Sequence, residues 1–396
     1  MASIQKNILI IAPLFGVLFL VTADYQMLIP LLPTLGRELE TSVENLGWLF
    51  SFYALSAALF NLLLGPLSDR FGRVIFIRLG LAIFFLIALT TYFSKNYLQL
   101  FWLRGLAGLT AGLLSTCSIS FVGDFFPYEQ RGRVMGIILS SYFAALVLGV
   151  PIGAWVAQTW SWKSPFLLSA TLAFVFLCCS LIFFPKETHI SSSSSSINLK
   201  NYFSVYLQFF LRRETAAAVA VSFCISGGTL AVMTFISSYL DQTFDLKPFE
   251  ISWIFLSAGI GAIIASPLAG WLSDKFTKRN VFLVSNTALI VPLLLLVQLP
   301  WGISLILTFL LISLCVGFRQ TALQTLQTEL VQTNQRGAFL ALRNSCSQLG
   351  ISAAVFVGGI LYSTIGYGAV TIMSAIMTLI SSGILYQLIR EPKKQK

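Results

Sequence analysis

Long apolar runs separated by short polar stretches fill the 396-residue chain from about residue 8 to residue 388. A helix needs about 20 apolar residues to cross the hydrocarbon layer of a bilayer. By that rule the first half predicts spans at 8–33, 46–66, 74–93, 98–122, 134–158 and 164–185. The second half predicts spans at 214–238, 251–272, 280–299, 302–325, 337–362 and 367–388. Each run is continuously apolar rather than apolar at alternate positions, which excludes a transmembrane β-barrel. The first run is too long for a cleaved leader, lacks an evident small-residue cleavage site and precedes eleven more. The expected fold is an all-α membrane protein with twelve transmembrane helices.

Composition agrees, with 57% hydrophobic and 10% charged residues and a mean hydropathy of +0.84. Soluble domains carry about 25% charged residues. Lysine and arginine accumulate in cytoplasmic loops. With both termini cytoplasmic, nineteen of these cations, Arg343 included, fall in inside segments. Arg37, Lys95, Lys163 and Lys247 fall outside, while Arg104 and Arg319 lie within spans. The bias predicts a multi-pass protein of the cell inner (plasma) membrane. It also accounts for the net charge of +10, because these cations face anionic lipid headgroups. No aqueous domain is present to form a nucleic-acid groove, so the bilayer, and no nucleic acid, is the expected macromolecular surroundings.

Pro185 closes the sixth span, and the run Ser191 to Ser196 that follows neither packs nor buries area. The chain therefore divides into an N-terminal six-helix bundle (1–185), a cytoplasmic linker (186–212), and a C-terminal six-helix bundle with a basic tail (213–396). An internal repeat supports the division. Gly65-Pro66-Leu67-Ser68-Asp69-Arg70-Phe71-Gly72-Arg73 recurs, 205 residues on, as Gly270-Trp271-Leu272-Ser273-Asp274-Lys275-Phe276-Thr277-Lys278. The same offset sets Asp124 over Glu329 and Gln130-Arg131-Gly132 over Gln335-Arg336-Gly337. Repeated halves packed against each other are a means of exposing one central site to either side in turn. Transport of a small-molecule substrate is thus the expected activity. The charged positions Asp69, Arg70, Arg73, Asp124, Arg131, Asp274, Lys275, Lys278, Glu329 and Arg336, with Gly65 and Gly72, form a candidate conformational latch. Ordinary topogenic charge is the competing reading, although it leaves the retained acids without a role.

Two charges stand inside the first bundle. An ionised group in a spanning helix is costly and faces a cavity or a partner, so Asp24 in span one and Arg104 in span four are candidate partners. A carboxylate that passes between a proton, an arginine and a substrate couples two fluxes. A static ion pair that orders the bundle is the alternative. Tyr25, Gln26, Tyr53, Tyr142, Phe143, Phe223, Phe235 and Gln320 are candidate cavity residues. The tenth span is rich in neutral side chains (Gln320, Thr321, Gln324, Thr325 and Gln327), which suits an apolar, neutral or mildly cationic solute. Enzyme chemistry has no visible basis. The only histidine, His189, adjoins the tether, and neither a Cys-x-x-Cys pair nor a phosphate-binding Walker loop is present. No catalytic residue, cofactor or metal is expected.

Beyond these derivations, the Gly65–Arg73 stretch and its echo at Gly270–Lys278 resemble the signature loop of the major facilitator superfamily. The similarity covers the chain from about residue 8 to residue 390. Asp24 with Pro30 and Pro33, Arg104 through Gly108 to Gly112, and Gly149-Val150-Pro151-Ile152-Gly153 resemble three stretches of its proton-linked drug-exporter branch. Two positions depart from the pattern: Ala154 replaces a second glycine of the fifth-helix motif, and Thr277 replaces a glycine of the second loop. The resemblance implies the superfamily's two pseudo-symmetric bundles, proton antiport through Asp24 and Arg104, and efflux by a monomer. A carrier for one metabolite, such as a sugar or an amino-acid derivative, is the other reading.

Overall fold

A computed structural model of the chain describes residues 2–185, 199–332 and 335–389. The side chains of 2–7, 64–66, 69–70, 128, 199–203 and 274 lie outside that description. The polyserine run, the basic tail and the side chains of Asp69, Arg70 and Asp274 therefore fall outside the described residues, as does the surroundings of Gly65. All regular structure among the described residues is helical.

Among the described residues, twelve helices are long and apolar enough to span a bilayer. In the first half they are α1 (Ile8–Glu38), α2 (Val43–Leu63), α3 (Arg73–Tyr92), α4 (Tyr97–Phe125), α5 (Glu129–Thr159) and α6 (Ser164–Phe183). In the second half they are α7 (Arg213–Phe244), α8 (Pro248–Ser273), α9 (Lys278–Leu295), α10 (Ile303–Glu329), α11 (Arg336–Thr364) and α12 (Tyr367–Leu388). Large apolar side chains such as Trp102, Phe174, Ile182 and Ile303 point outward, as a lipid-facing surface requires. An even number of crossings puts both ends of the chain on one face, called here the terminal face.

Local chemistry sets the helix boundaries and breaks. Ser42 starts α2 by accepting from the Asn45 N–H, and Asn96 starts α4 by accepting from the Gln99 N–H at 2.9 Å. Pro30 and Pro33 interrupt α1, which passes through a 3-10 turn at Ile29–Leu31 before resuming. Pro151 cannot donate to the carbonyl four residues back, and α5 answers with a π-turn at Ala145–Gly149. Gly72 ends the helix that contains α2 at φ 97°, a conformation glycine adopts without penalty. Its counterpart Thr277 has φ −79° and caps α9 by accepting from the Asn280 N–H. The second loop therefore needs no glycine, and the departure at Thr277 has a structural reason.

The linker is not structureless throughout. Leu199–Leu211 form a helix whose Tyr206 and Phe209 are buried in the second bundle while Leu207, Phe210 and Leu211 are exposed. That division is the pattern of a helix lying at a membrane interface.

The two bundles meet unevenly. Near the face opposite the termini, one apolar cluster takes Leu28, Leu46, Phe50 and Trp162 from the first bundle and Phe235, Leu240, Phe255 and Tyr362 from the second. Toward the terminal face the core divides into a first-bundle cluster around Leu81 and Phe121 and a second-bundle cluster around Phe209 and Phe339, which Leu62 reaches from the first bundle. Polar contacts follow the same plan. Arg37 donates through Nη1 to both oxygens of Asp241 at 2.9 and 3.0 Å, Ser363 donates to Glu44 at 3.2 Å, and Ser51 donates to the Ser352 carbonyl at 2.8 Å. The structure is thus closed by packing on the face opposite the termini.

The Arg37–Asp241 clasp is partly exposed, so its loss removes a modest stabilisation. Asp241→Asn is expected to speed thiol labelling of Ser51→Cys, in a cysteine-free background, by roughly 2- to 5-fold. An unchanged rate contradicts a clasp role.

Candidate functional site

Asp24 and Arg104 come together in the first bundle. Asp24 lies in the last turn before the α1 break, and Arg104 lies two turns into α4; they are 0% and 2% exposed. Arg104 Nη1 donates to Asp24 Oδ2 at 2.9 Å. This is their only mutual hydrogen bond among the described residues. Asp24 Oδ1 and Arg104 Nε and Nη2 are buried with no partner there. Two aromatic faces complete the guanidinium's surroundings, with Tyr53 at 5.6 Å and Phe166 at 5.2 Å; such faces attract a cation. A pocket of about 10 Å³ lined by Tyr25, Leu28, Leu49, Phe50, Tyr53 and Arg104 adjoins the pair. That is room for about one water.

Close backbone contacts hold this arrangement. A side chain at Gly108 would run into the Tyr53 carbonyl, and one at Gly112 would come within 2.7 Å of the Ala57 carbonyl. These glycines let α4 lie directly against α2, which carries Tyr53. Gly149 and Gly153 serve α5 in the same way, because added Cβ atoms there would sit 2.8 Å from Ala23 and 2.7 Å from Met27. The α5 motif therefore grips α1 on both sides of Asp24, with half-buried Pro151 between the two contacts.

The remaining cavity residues divide. Tyr25 packs edge-on to Phe50 with ring centroids 5.2 Å apart, meets Tyr53 at 5.1 Å and lies beside Thr234 of the other bundle. The Gln26 side-chain oxygen is buried without a partner among the described residues. Tyr142, Phe143 and Phe223 are half-buried, and Gln320 is exposed. Phe235 is buried in the junction, stacked on Tyr362 at 5.7 Å; it closes the molecule rather than lining an open cavity.

On the terminal face, Arg73 Nε donates to Asp124 Oδ2 at 3.1 Å, and Lys278 Nζ donates to Glu329 at 2.8 and 3.0 Å. Both pairs join residues 51 apart, so they are the same contact in the two repeats. Each lies within one bundle. The expected cation–carboxylate partners thus meet, but they brace a bundle internally rather than bridge the two. Arg131 donates to the Phe126 carbonyl at 2.8 Å, Lys275 lies over the Trp271 and Phe276 rings, and Arg336 is exposed at the start of α11.

Three features escaped sequence reasoning. Arg343, counted with the loop cations, lies in α11 and is 9% exposed. The partners of Arg319, a residue the sequence already placed within a span, were not foreseen: it is buried and donates to Asn286 Oδ1 at 2.6 Å, to the Ile225 carbonyl at 3.1 Å and to Thr229. An amide in the middle of the apolar ninth span was the one available sign of Asn286. Asp241 was not foreseen as a partner of Arg37.

The major facilitator superfamily model matches residues 14–247 and 218–396, and the chain belongs to that family. An uncharacterised MFS-type transporter of Bacillus subtilis, YceJ, is 26% identical over 96% of each chain. Multidrug resistance protein 2 of the same organism is 25% identical over 90% of this chain and 89% of its own. The chromaffin granule amine transporter of Rattus norvegicus is 26% identical over 90% of this chain and 68% of its own. The solved structure of a D-xylose-proton symporter superposes with a TM-score of 0.77 at 16% identity, covering 98% of this chain and 99% of that one.

The site's energetics can be tested by a double-mutant cycle. Arg104→Ala leaves a buried carboxylate unpaired and is expected to cost roughly 3–5 kcal/mol. Adding Asp24→Asn should recover part of that loss in a thermal unfolding assay of protein in nanodiscs. Additive losses contradict a direct pairing.

Proposed function

We propose that the protein is a proton-coupled antiporter that exports apolar or amphipathic small molecules by alternating access, its terminal face toward the cytoplasm. The observation that carries this reading is the single hydrogen bond between Asp24 and Arg104. A carboxylate held by one bond, with its second oxygen unpartnered among the described residues, can exchange the arginine for a proton without dismantling a network. A bidentate, fully satisfied pair would resist that exchange. Burial strengthens the alternation, because neither partner is solvated when the other leaves.

The packing supports the rest of the cycle. Closure at the face opposite the termini, with separate cores toward the terminal face, is the arrangement of a carrier whose site faces the cytoplasm. The repeat-related Arg73–Asp124 and Lys278–Glu329 braces keep each bundle rigid while one rocks against the other. The basic loops on the terminal face support its cytoplasmic placement. Similarity to Multidrug resistance protein 2 of Bacillus subtilis supports efflux. In this reading Asp69, Arg70 and Asp274 belong to the loops that engage when the cytoplasmic ends approach.

Proteoliposomes with an imposed pH gradient test the coupling across a panel of acidic, neutral and cationic amphipathic solutes. Wild-type protein is expected to accumulate a panel member against its gradient and to lose that accumulation on addition of a protonophore. Asp24→Asn should abolish uphill transport while binding and some counterflow survive. Normal proton-driven accumulation by well-inserted Asp24→Asn protein would locate coupling elsewhere. A requirement for sodium in place of the pH gradient would remove the proton assignment.

A further inference from the structure

The interior of the second bundle contains two guanidiniums, and neither meets a carboxylate among the described residues. Arg319 is 1% exposed and has three oxygen acceptors. Arg343 is less well provided. Its Nη1 donates to Gln327 Oε1 at 3.3 Å, and its buried Nε has no partner among the described residues. The Gln327 amide nitrogen is already committed to the Ala218 carbonyl at 2.9 Å and to Ser222 at 2.7 Å. That commitment turns the amide oxygen toward Arg343.

Arg343 also lies near the terminal end of its bundle. It is the eighth residue of α11, about 10 Å along the helix from its start on the terminal face. Tyr142 of α5, in the first bundle, lies within electrostatic reach of it. Asp124 and Glu329, carboxylates on the same face, are held by Arg73 and Lys278. Guanidinium keeps its proton at any physiological pH, so it cannot relieve its burial by becoming neutral. A buried charge of this kind calls for a counter-ion. The edge formed by Nε and Nη2, which makes no hydrogen bond to a described residue, has the fork geometry that carboxylates accept through two oxygens.

We infer that Arg343, with Gln327 and Tyr142 beside it, receives an acidic group of the solute, so that the transported class is amphipathic acids carrying a carboxylate on an apolar body. This inference rests on the export reading and narrows it. It also revises the preference drawn from the amides of α10: Gln327 serves the guanidinium, and a cationic solute would meet Arg319 and Arg343 as like charges. The first bundle then supplies the proton site through Asp24 and the second supplies the anion site through Arg343.

Binding to full-length protein in phosphatidylcholine nanodiscs tests this without requiring flux. The probes are 1-naphthylacetate, its neutral amide, and 1-naphthylmethylamine, which share one apolar body. Wild type should bind the carboxylate at least about tenfold more tightly than the amide or the amine. Arg343→Gln should remove that preference and leave amide binding unchanged, while Arg343→Lys, the conservative variant, should retain part of it. A preference for the amide or the amine, or a carboxylate preference that persists in Arg343→Gln, overturns the acidic-group assignment and leaves the carrier reading intact. Binding of none of the three removes the amphipathic-solute reading as well. Loss of carboxylate binding in discs that also contain phosphatidylglycerol would assign Arg343 to a lipid headgroup, overturning its role as a solute site.

Discussion

A carboxylate and a guanidinium share one hydrogen bond in a place where water screens neither of them, and much of the first bundle is arranged around that pair. Asp24 is wholly buried, and Arg104 is held between Tyr53, Phe166 and the acid. Either charge alone would be buried without a counter-ion. The partners therefore depend on each other, and the three polar atoms left over make the pairing incomplete. Incomplete pairing is poor engineering for a static brace. It suits a site that changes partner.

Small residues set how closely the helices that present the pair approach, and hydrogen bonds from Tyr97 to the Asn45 carbonyl and from Thr116 to Asn61 join α4 to α2 as well. Gly108 and Gly112 bring α4 against the backbone of α2, while Gly149 and Gly153 bring α5 against α1 at Ala23 and Met27. A shift of α5 along α1 therefore moves the element that bears Asp24. The π-turn before Pro151 gives α5 a local break in its hydrogen-bond ladder beside this contact. Farther out, the shared apolar cluster and the Arg37–Asp241 clasp hold the bundles together at one face. The repeat-related ion pairs join neighbouring helices within each bundle at the other.

Architecture was legible in the sequence because lipid imposes a length and a polarity on every span. Twelve apolar runs, a 205-residue repeat and the signature loop led to the fold, and Asp24 and Arg104 stood out as charges in apolar runs. Arg343 was not legible for a related reason. It lies only eight residues into its helix, close enough to the polar end to be counted with the loop cations, and its burial beside Gln327 depends on tertiary packing. Phe235 was misleading in the opposite sense, since an aromatic that plugs the junction and one that lines a cavity look alike in a string of letters. The structured second half of the linker was hidden by the serine run before it, although its helix carries the large apolar residues Tyr206, Leu207, Phe209, Phe210 and Leu211.

The proposed coupling requires that Asp24 itself take up the proton. Infrared difference spectroscopy of the reconstituted protein follows the carbonyl stretch of a protonated carboxyl group directly and needs no knowledge of the solute. As the pH is lowered, wild type should gain a band for a buried protonated carboxyl that Asp24→Asn lacks. The same band in Asp24→Asn, or its absence from wild type while proton-driven transport continues, would contradict the account.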